Sequence, residues 1–365
     1  AIELCDWSSD VCSSDLYQGI VDFKYVAVRG VLVKLISVVL LFFLVKTKED
    51  ILWYGAYSVL GILGGNIFNF IRLRKYLSRD VIDFRTLHPL KHLKPALHVF
   101  ALNVIISIYI QMNNVLLGFM KDAEAVGYFT AATKLMVMAM SILGSLGNVM
   151  MPHISNLIAV GRMDESKALI QKSYDLVLAL AMPLTVGLIF TSPSAILLLS
   201  GMDFIPAILT SQIVAFNILM VGLSGVMGIQ VLYPLGKINI VILSTFIGAI
   251  TNVLLNILLV PRYGHNGTAI AYMLAEAAVT ISMFFIGHKY IPVQFLKKQH
   301  LHYIGGCIVM GGCLHFISLF DLSYINTLIA MISVGGMVYV IVLLLLKDSI
   351  GKTIWETMRT VLIKK

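Results

Sequence analysis

The chain has 365 residues, of which 59% are hydrophobic and only 13% charged, with a formal net charge of +8 and a mean hydropathy of +0.91. A water-facing surface needs about a quarter of the residues charged, so a soluble protein of this length is excluded. The surplus of Lys and Arg sits in short loops between apolar runs and forms no shared aqueous face for nucleic acid. It reads as topology and as attraction to anionic lipid headgroups.

Residues 6–16, DWSSDVCSSDL, read like the one-frame translation of a sequencing-library adapter, and 1–16 are set aside as an artefact of that kind. The native sequence then opens near Tyr17 with no initiator Met and no signal peptide, so a chain lacking its native N-terminus is expected. A membrane span needs roughly 20 mostly apolar residues to cross a core of about 30 Å. Ten stretches qualify: 30–45, 51–71, 96–120, 127–151, 173–190, 204–230, 238–260, 267–287, 303–319 and 324–346. Their apolar runs are continuous rather than alternating, which selects helices over barrel strands. The expected fold is therefore an all-α polytopic membrane protein with about ten transmembrane helices. The tail, 347–365, places Ile354, Trp355, Met358, Val361 and Leu362 opposite charged residues, as a helix lying on a membrane surface does.

Direction follows from charge. The loop 72–94 carries seven Lys or Arg and two Asp. With that loop inside and the spans alternating, 21 of the 27 Lys and Arg fall in inner segments and four in outer ones. Lys and Arg flanking spans resist translocation, so the basic loop and the tail are expected to be cytoplasmic. Gly61, Gly64 and Gly65, Pro183 with Gly187, and Gly222, Gly225 and Gly228 read first as close-packing or kinking residues, and second as hinges for alternating access. Cys307 and Cys313 lie six apart, which is no metal spacing.

An ionisable residue within a span is costly and so marks a candidate site. Lys34 and His98 lie close to span ends and can snorkel. Lys134 and Glu276, seven and nine residues into their spans, lie about 10 and 14 Å deep. One reading makes them a buried structural pair, or Glu276 a protonated group hydrogen-bonded to a neighbour. The other makes Lys134 a cavity cation for an anionic substrate and Glu276 the carrier of a coupling proton. Asn113 and Asn114, beside Gln111, and Asn252 and Asn256, four apart on one face, serve either as interhelix hydrogen bonds or as a cavity lining suited to sugar hydroxyls. There is no phosphate-binding loop, no HExxH and no G-x-S-x-G, and the longest loop is about 23 residues and basic. No enzymatic activity, metal or cofactor is expected.

Several stretches carry a resemblance: YQGIVDFKYVAVR at 17–29, HLKPAL at 92–97, NNVLLGF at 113–119, GYFTAATKL at 127–135, VMMPHIS at 149–155, GIQVLYPLGK at 228–237 and GHNGTAIAYMLAEA at 264–277. Together they resemble the O-antigen (Wzx-type) polysaccharide flippases of the multidrug/oligosaccharidyl-lipid/polysaccharide exporter superfamily. The resemblance implies two six-helix lobes around a central cavity, with an extra helix pair, here truncated. On it, 17–71 would be the last two helices of the first lobe, 72–95 the cytoplasmic linker, 96–290 the second lobe of six helices and 303–346 the extra pair. It implies a flippase for undecaprenyl-pyrophosphate-linked oligosaccharide in a bacterial inner membrane. Its partners would be that lipid-linked oligosaccharide, membrane lipids, and polysaccharide polymerase and chain-length machinery. A cation-coupled multidrug exporter of the same superfamily and a membrane glycosyltransferase or polymerase stand as alternatives.

The orientation is checked with single cysteines at Ser78 and Lys364 in an otherwise cysteine-free chain. An impermeant thiol reagent should leave both unlabelled in intact cells and label both after permeabilisation. Labelling of either from outside would overturn the map.

Overall fold

A computed structural model of the chain describes residues 23–46, 50, 52–53, 68–69, 71, 111–295, 297–320, 322–348 and 351. The adapter-like stretch, the basic loop 72–94, His98, Asp321 and the surface-helix pattern of the tail lie outside the described residues, as does most of 51–71. The chain divides into two compact units, Ala1–Ile108 and Tyr109–Lys365. Among the described residues all regular structure is helical.

In the first unit, helix α1 (Phe23–Leu44) exposes Val31, Leu32, Leu35, Ile36, Phe42 and Phe43, an outward face that lipid can cover. Lys34 shares that exposure. The Tyr25 hydroxyl donates to the Phe68 carbonyl at 3.1 Å.

The second unit begins with helical residues 111–120 (α2). Next in order are α3 (Ala123–Ala159), α4 (Met163–Ser200), α5 (Ala207–Val214), α6 (Phe216–Gly225), a π-helical segment (Val226–Leu232), α7 (Ile238–Gly287), α8 (Lys298–Ser318) and α9 (Tyr324–Leu345). Helix α3 starts where the Asp122 carboxylate accepts from the Ala125 N–H at 2.7 Å, with Glu124 in the first turn. Asp122 satisfies an orphan amide, and the two carboxylates suit the positive end of the helix dipole. Gly161 and Gly201, both at positive φ, end α3 and α4.

Helices α3 and α4 run longer than the apolar windows 127–151 and 173–190, at 37 and 38 residues. Each is about 55 Å long, well beyond a core of about 30 Å. Hydropathy marks where lipid ends, whereas a helix ends where its caps are. Pro152, Pro183 and Pro193 lie within these helices without ending them.

Helix α7, read from sequence as the two spans 238–260 and 267–287, is a hairpin bent at Gly264, whose φ of 54° and ψ of −132° suit only glycine. A Cβ on Gly248 would meet Val279 and Ala275, and one on Gly267 would meet the Leu259 backbone. Those partners lie at nearly equal sequence distance on either side of Gly264, so the two legs run antiparallel and touch. Among the described residues six helices are long and apolar enough to cross a membrane, α5 to Leu232 counting as one. The folded-back α7 supplies two crossing-length legs. The expectation of about ten spans also includes 51–71 and 96–120, which lie mostly outside the described residues.

Helix α4 is the central post. It packs against α3, α5, α6, the π-helical segment, α8 and α9. One core cluster joins α3 to α4, α5, α6 and α7 through Phe129, Leu135, Met136, Leu188, Ile196 and Ile218. A second seats the terminal pair on α4 through Leu178, Tyr303, Met310, Leu314, Tyr339 and Leu343. The Tyr339 hydroxyl donates to the Ala179 carbonyl at 2.8 Å.

The hairpin gives a sharp test. A Cβ at Gly267 would lie 2.6 Å from the Leu259 carbonyl oxygen, and backbone cannot step aside as a side chain can. Gly267→Ala should destabilise the protein by about 1–3 kcal/mol. Gly127→Ala, with nothing within 4 Å, should be neutral or slightly stabilising. Thermal unfolding midpoints in detergent compare the two, and an equal response would refute the close approach.

Candidate functional site

Three of the sequence-selected amides meet. Asn113 on α2 and Asn252 and Asn256 on the first leg of α7 are each at most 2% exposed. The Asn113 Oδ1 accepts from Asn252 Nδ2 at 3.0 Å and from Asn256 Nδ2 at 3.1 Å. Asn256 Nδ2 also reaches the Asn252 carbonyl at 2.9 Å and its Oδ1 at 3.1 Å. The i, i+4 spacing that put Asn252 and Asn256 on one face thus aims both at a helix some 140 residues earlier. The cluster is closed, and its bonding is that of interhelix glue. Asn114 stands apart and donates to Gln111 at 3.3 Å.

Lys134 and Glu276 do not meet. Lys134 is exposed, whereas Glu276 is 7% exposed and engaged inside the bundle. Among the described residues, Lys134 takes part in none of the ion pairs within 4.0 Å. Measured from Ala123 and from Gly264, the two lie about 17 and 18 Å along their helices.

Lys134 belongs to a pattern that extends along α3. Ser141, Ser145 and Asn148 are exposed with it, at steps of seven, four and three residues, which places all four on one helical face. Phe129, Ala132, Met136 and Leu143 are buried on the rest of the helix. Ser141 and Ser145 donate to the carbonyls of Met138 and Ser141, leaving their oxygens as acceptors. The same spacing was open to inspection in the sequence, where Lys134 stood out alone.

A second polar group went unmarked in the sequence. At the end of the unit where α4 and α8 begin, Asp175 is 7% exposed. Its Oδ2 accepts from Lys297 Nζ at 3.0 Å, and its Oδ1 from Gln171 Nε2 at 2.7 Å and His300 Nε2 at 3.1 Å. His300 Nδ1 lies 3.2 Å from the Lys297 N and 3.0 Å from the Phe295 carbonyl oxygen, so the ring is held from both sides. Gln171 Oε1 accepts from the Gln294 N–H at 2.7 Å. This end also bears Arg162, Lys167, Lys172, Lys237, Lys289, Lys298 and Lys347, whereas Lys121 and Arg262 are the Lys and Arg at the opposite turns.

Comparison with known proteins fits this architecture. Residues 8–158 match the sequence profile of the family described as polysaccharide biosynthesis protein. A protein named as an O-antigen transporter from Shigella dysenteriae is 27% identical over 281 residues, which are 76% of this chain and 69% of that protein. One so named from Escherichia coli K12 is 24% identical over 60% of this chain and 52% of its own length. Among solved structures, the lipid II flippase MurJ in an inward closed conformation superposes with a TM-score of 0.62 at 20% identity, over 79% of this chain and 61% of that one. The last likeness shows the fold. The chain is a multi-pass membrane protein.

The amide cluster and the exposed stripe should respond differently to substitution. Asn113→Leu strips two buried Nδ2 groups of an acceptor and should cost about 1–3 kcal/mol. Lys134→Ala, on an exposed face, should leave the unfolding midpoint within about 1 °C of the parent, since surface substitutions away from special features are nearly neutral.

Proposed function

We propose that this protein carries an undecaprenyl-pyrophosphate-linked oligosaccharide, an O-antigen or similar repeat unit, across a bacterial inner membrane by alternating access. The observation that carries the reading is the exposed stripe of Lys134, Ser141, Ser145 and Asn148 on α3. Against lipid, a lysine well inside a span costs roughly 2.5–3.5 kcal/mol, and two hydroxyls and an amide add to it. Against a watery cavity the same face is inexpensive and chemically apt. Lys134 attracts the pyrophosphate, the hydroxyls and amide meet the sugar, and the lipid tail stays in the bilayer. The relatives named as O-antigen transporters support the substrate class.

Within this proposal, 17–71 supplies the last two helices of a first lobe, 96–290 the second lobe and 303–346 the extra pair, with the basic end cytoplasmic. Glu276 and the Asn113–Asn252–Asn256 cluster hold the second lobe together. Activity is that of a transporter, with polysaccharide polymerase and chain-length proteins downstream.

The test is binding of undecaprenyl-pyrophosphate-linked oligosaccharide to the chain in nanodiscs. Lys134→Ala should weaken binding about tenfold or more, the loss expected of one charge-assisted hydrogen bond. Lys134→Arg should retain most of it, since a guanidinium still pairs with phosphate. Unchanged binding by a stable Lys134→Ala protein would reject the cavity role. Loss of binding in Lys134→Ala with its unfolding midpoint held separates substrate contact from bundle repair.

A further inference from the structure

The motif GIQVLYPLGK at 228–237 contains the one stretch of π-helix among the described residues, Val226–Leu232. Its register is set from both ends. The Tyr233 N–H donates to the Gly228 carbonyl, five residues back, at 2.9 Å. Pro234 has no N–H to offer, and its ring crowds the carbonyl of Gln230 four residues back, which favours a widened turn. Inside the segment Gln230 is 3% exposed, and its Oε1 accepts from the Ser173 hydroxyl at 2.6 Å. Reversion to α-helix would remove one residue from the turn and swing everything beyond it by about 100°. Gln230 would then leave Ser173 with both groups buried.

Space for such a shift exists. Gly228 faces the thioether of Met283, an adaptable neighbour, and Gly225 has nothing within 4 Å of a Cβ. Gly147 on α3 leaves room beside the Gln230 amide.

Ser173 is not an isolated anchor. On α4 it lies midway between Gln171 and Asp175, which are four apart and so share a face, while Ser173 points to the opposite side. One face grips the π-helical segment. The other grips Gln294, Lys297 and His300, the entry to α8. The two grips lie within five consecutive residues of one helix, and a tilt or rotation of those turns acts on both.

We propose that the π-helical segment is a two-register switch, and that the first turns of α4 couple its register to the docking of the terminal pair α8–α9. The coupling is reciprocal, as any linkage between two equilibria must be. Loosening the α8 grip raises the population of the α register, and releasing Gln230 loosens the entry to α8. The warrant is a discrete two-state element biased from two sides, which the test addresses directly.

The test uses the whole chain in lipid nanodiscs with its four cysteines replaced and one probe introduced, Val231→Cys. Val231 is fully buried in the π register, so its thiol is reached only while the segment is out of that register. Maleimide labelling of that probe should quicken about fivefold in Ser173→Ala, the population shift that one net hydrogen bond sustains. It should also quicken in Asp175→Asn, whose side chain keeps its volume but loses its charge. In the reverse direction, Ser173→Ala should speed amide exchange over 294–303, remote from the substitution in sequence. If Asp175→Asn fails to fold, Gln171→Leu replaces it, since it removes the bonds to Asp175 and Gln294 without changing any charge. Quickened labelling in Ser173→Ala alone, with exchange over 294–303 unchanged, would leave a local bulge and overturn the coupling. Unchanged labelling in Ser173→Ala would overturn the switch itself.

Discussion

Asp175 is a carboxylate held in the interior of a helical bundle, and burying a charge is tolerable only when partners replace the water it loses. Lys297, His300 and Gln171 do so, and the fold around them is arranged to bring them there. The chain must return from the second leg of α7 to α4 before α8 can begin, which fixes the course of the connector through Gln294 and Phe295. Phe295 then stacks edge-on against Tyr174 and Phe284. Once α8 is seated, Tyr339 of α9 reaches the Ala179 carbonyl on the same post. Removing one partner of such a pair costs roughly 3–5 kcal/mol, a large share of a domain's net stability.

The two polar assemblies of the second unit differ in what they ask of their surroundings. The Asn113–Asn252–Asn256 cluster makes its hydrogen bonds from within, and Asn256 Oδ1 alone of its amide oxygens is buried without a partner. In the α3 stripe Ser141 and Ser145 donate to carbonyls of their own helix, and the Lys134 ammonium forms none of the ion pairs among the described residues. Elsewhere the exposed side chains are those lipid accepts: Leu254, Ile257 and Leu258 on α7, Ile308 on α8, and Ile329 and Ile332 on α9. On α3 the polar Lys134, Ser141, Ser145 and Asn148 are exposed beside the apolar Val137 and Met138, so that face mixes the two kinds of side chain.

The helical class, the break between 260 and 267 and the pairing of Asn252 with Asn256 were legible in the sequence, because each rests on local information. A polar run, Pro261 to Gly267, interrupts two apolar runs, and a spacing of four defines a face. The resemblance read from short motifs agrees with the family profile over 8–158 and with the named relatives. The far ends of α3 and α4 were not legible, since both helices outrun the apolar signal that revealed them. Nor was the role of Asp175. It lay two residues inside a predicted span, and its partners Lys297 and His300 are 122 and 125 residues away. The acceptor shared by Asn252 and Asn256 was hidden for the same reason, with Asn113 on another helix. Lys134 was found, but its stripe was missed because serines carry no hydropathy signal strong enough to interrupt a span.

The hairpin of α7 bears on how this protein is made. Its turn is short and its legs touch at Gly248 and Gly267, while Pro261, Arg262 and Tyr263 at the tip are exposed. Asn266 is held by Thr210 at 2.7 Å and the Pro261 carbonyl by Lys121 at 3.3 Å, so the tip is finished only when α5 and the start of α3 are already in place. The earlier helices therefore form the mould into which the hairpin is cast. Two antiparallel legs that touch at both levels give each other a packed face, so either crossing is completed by the other.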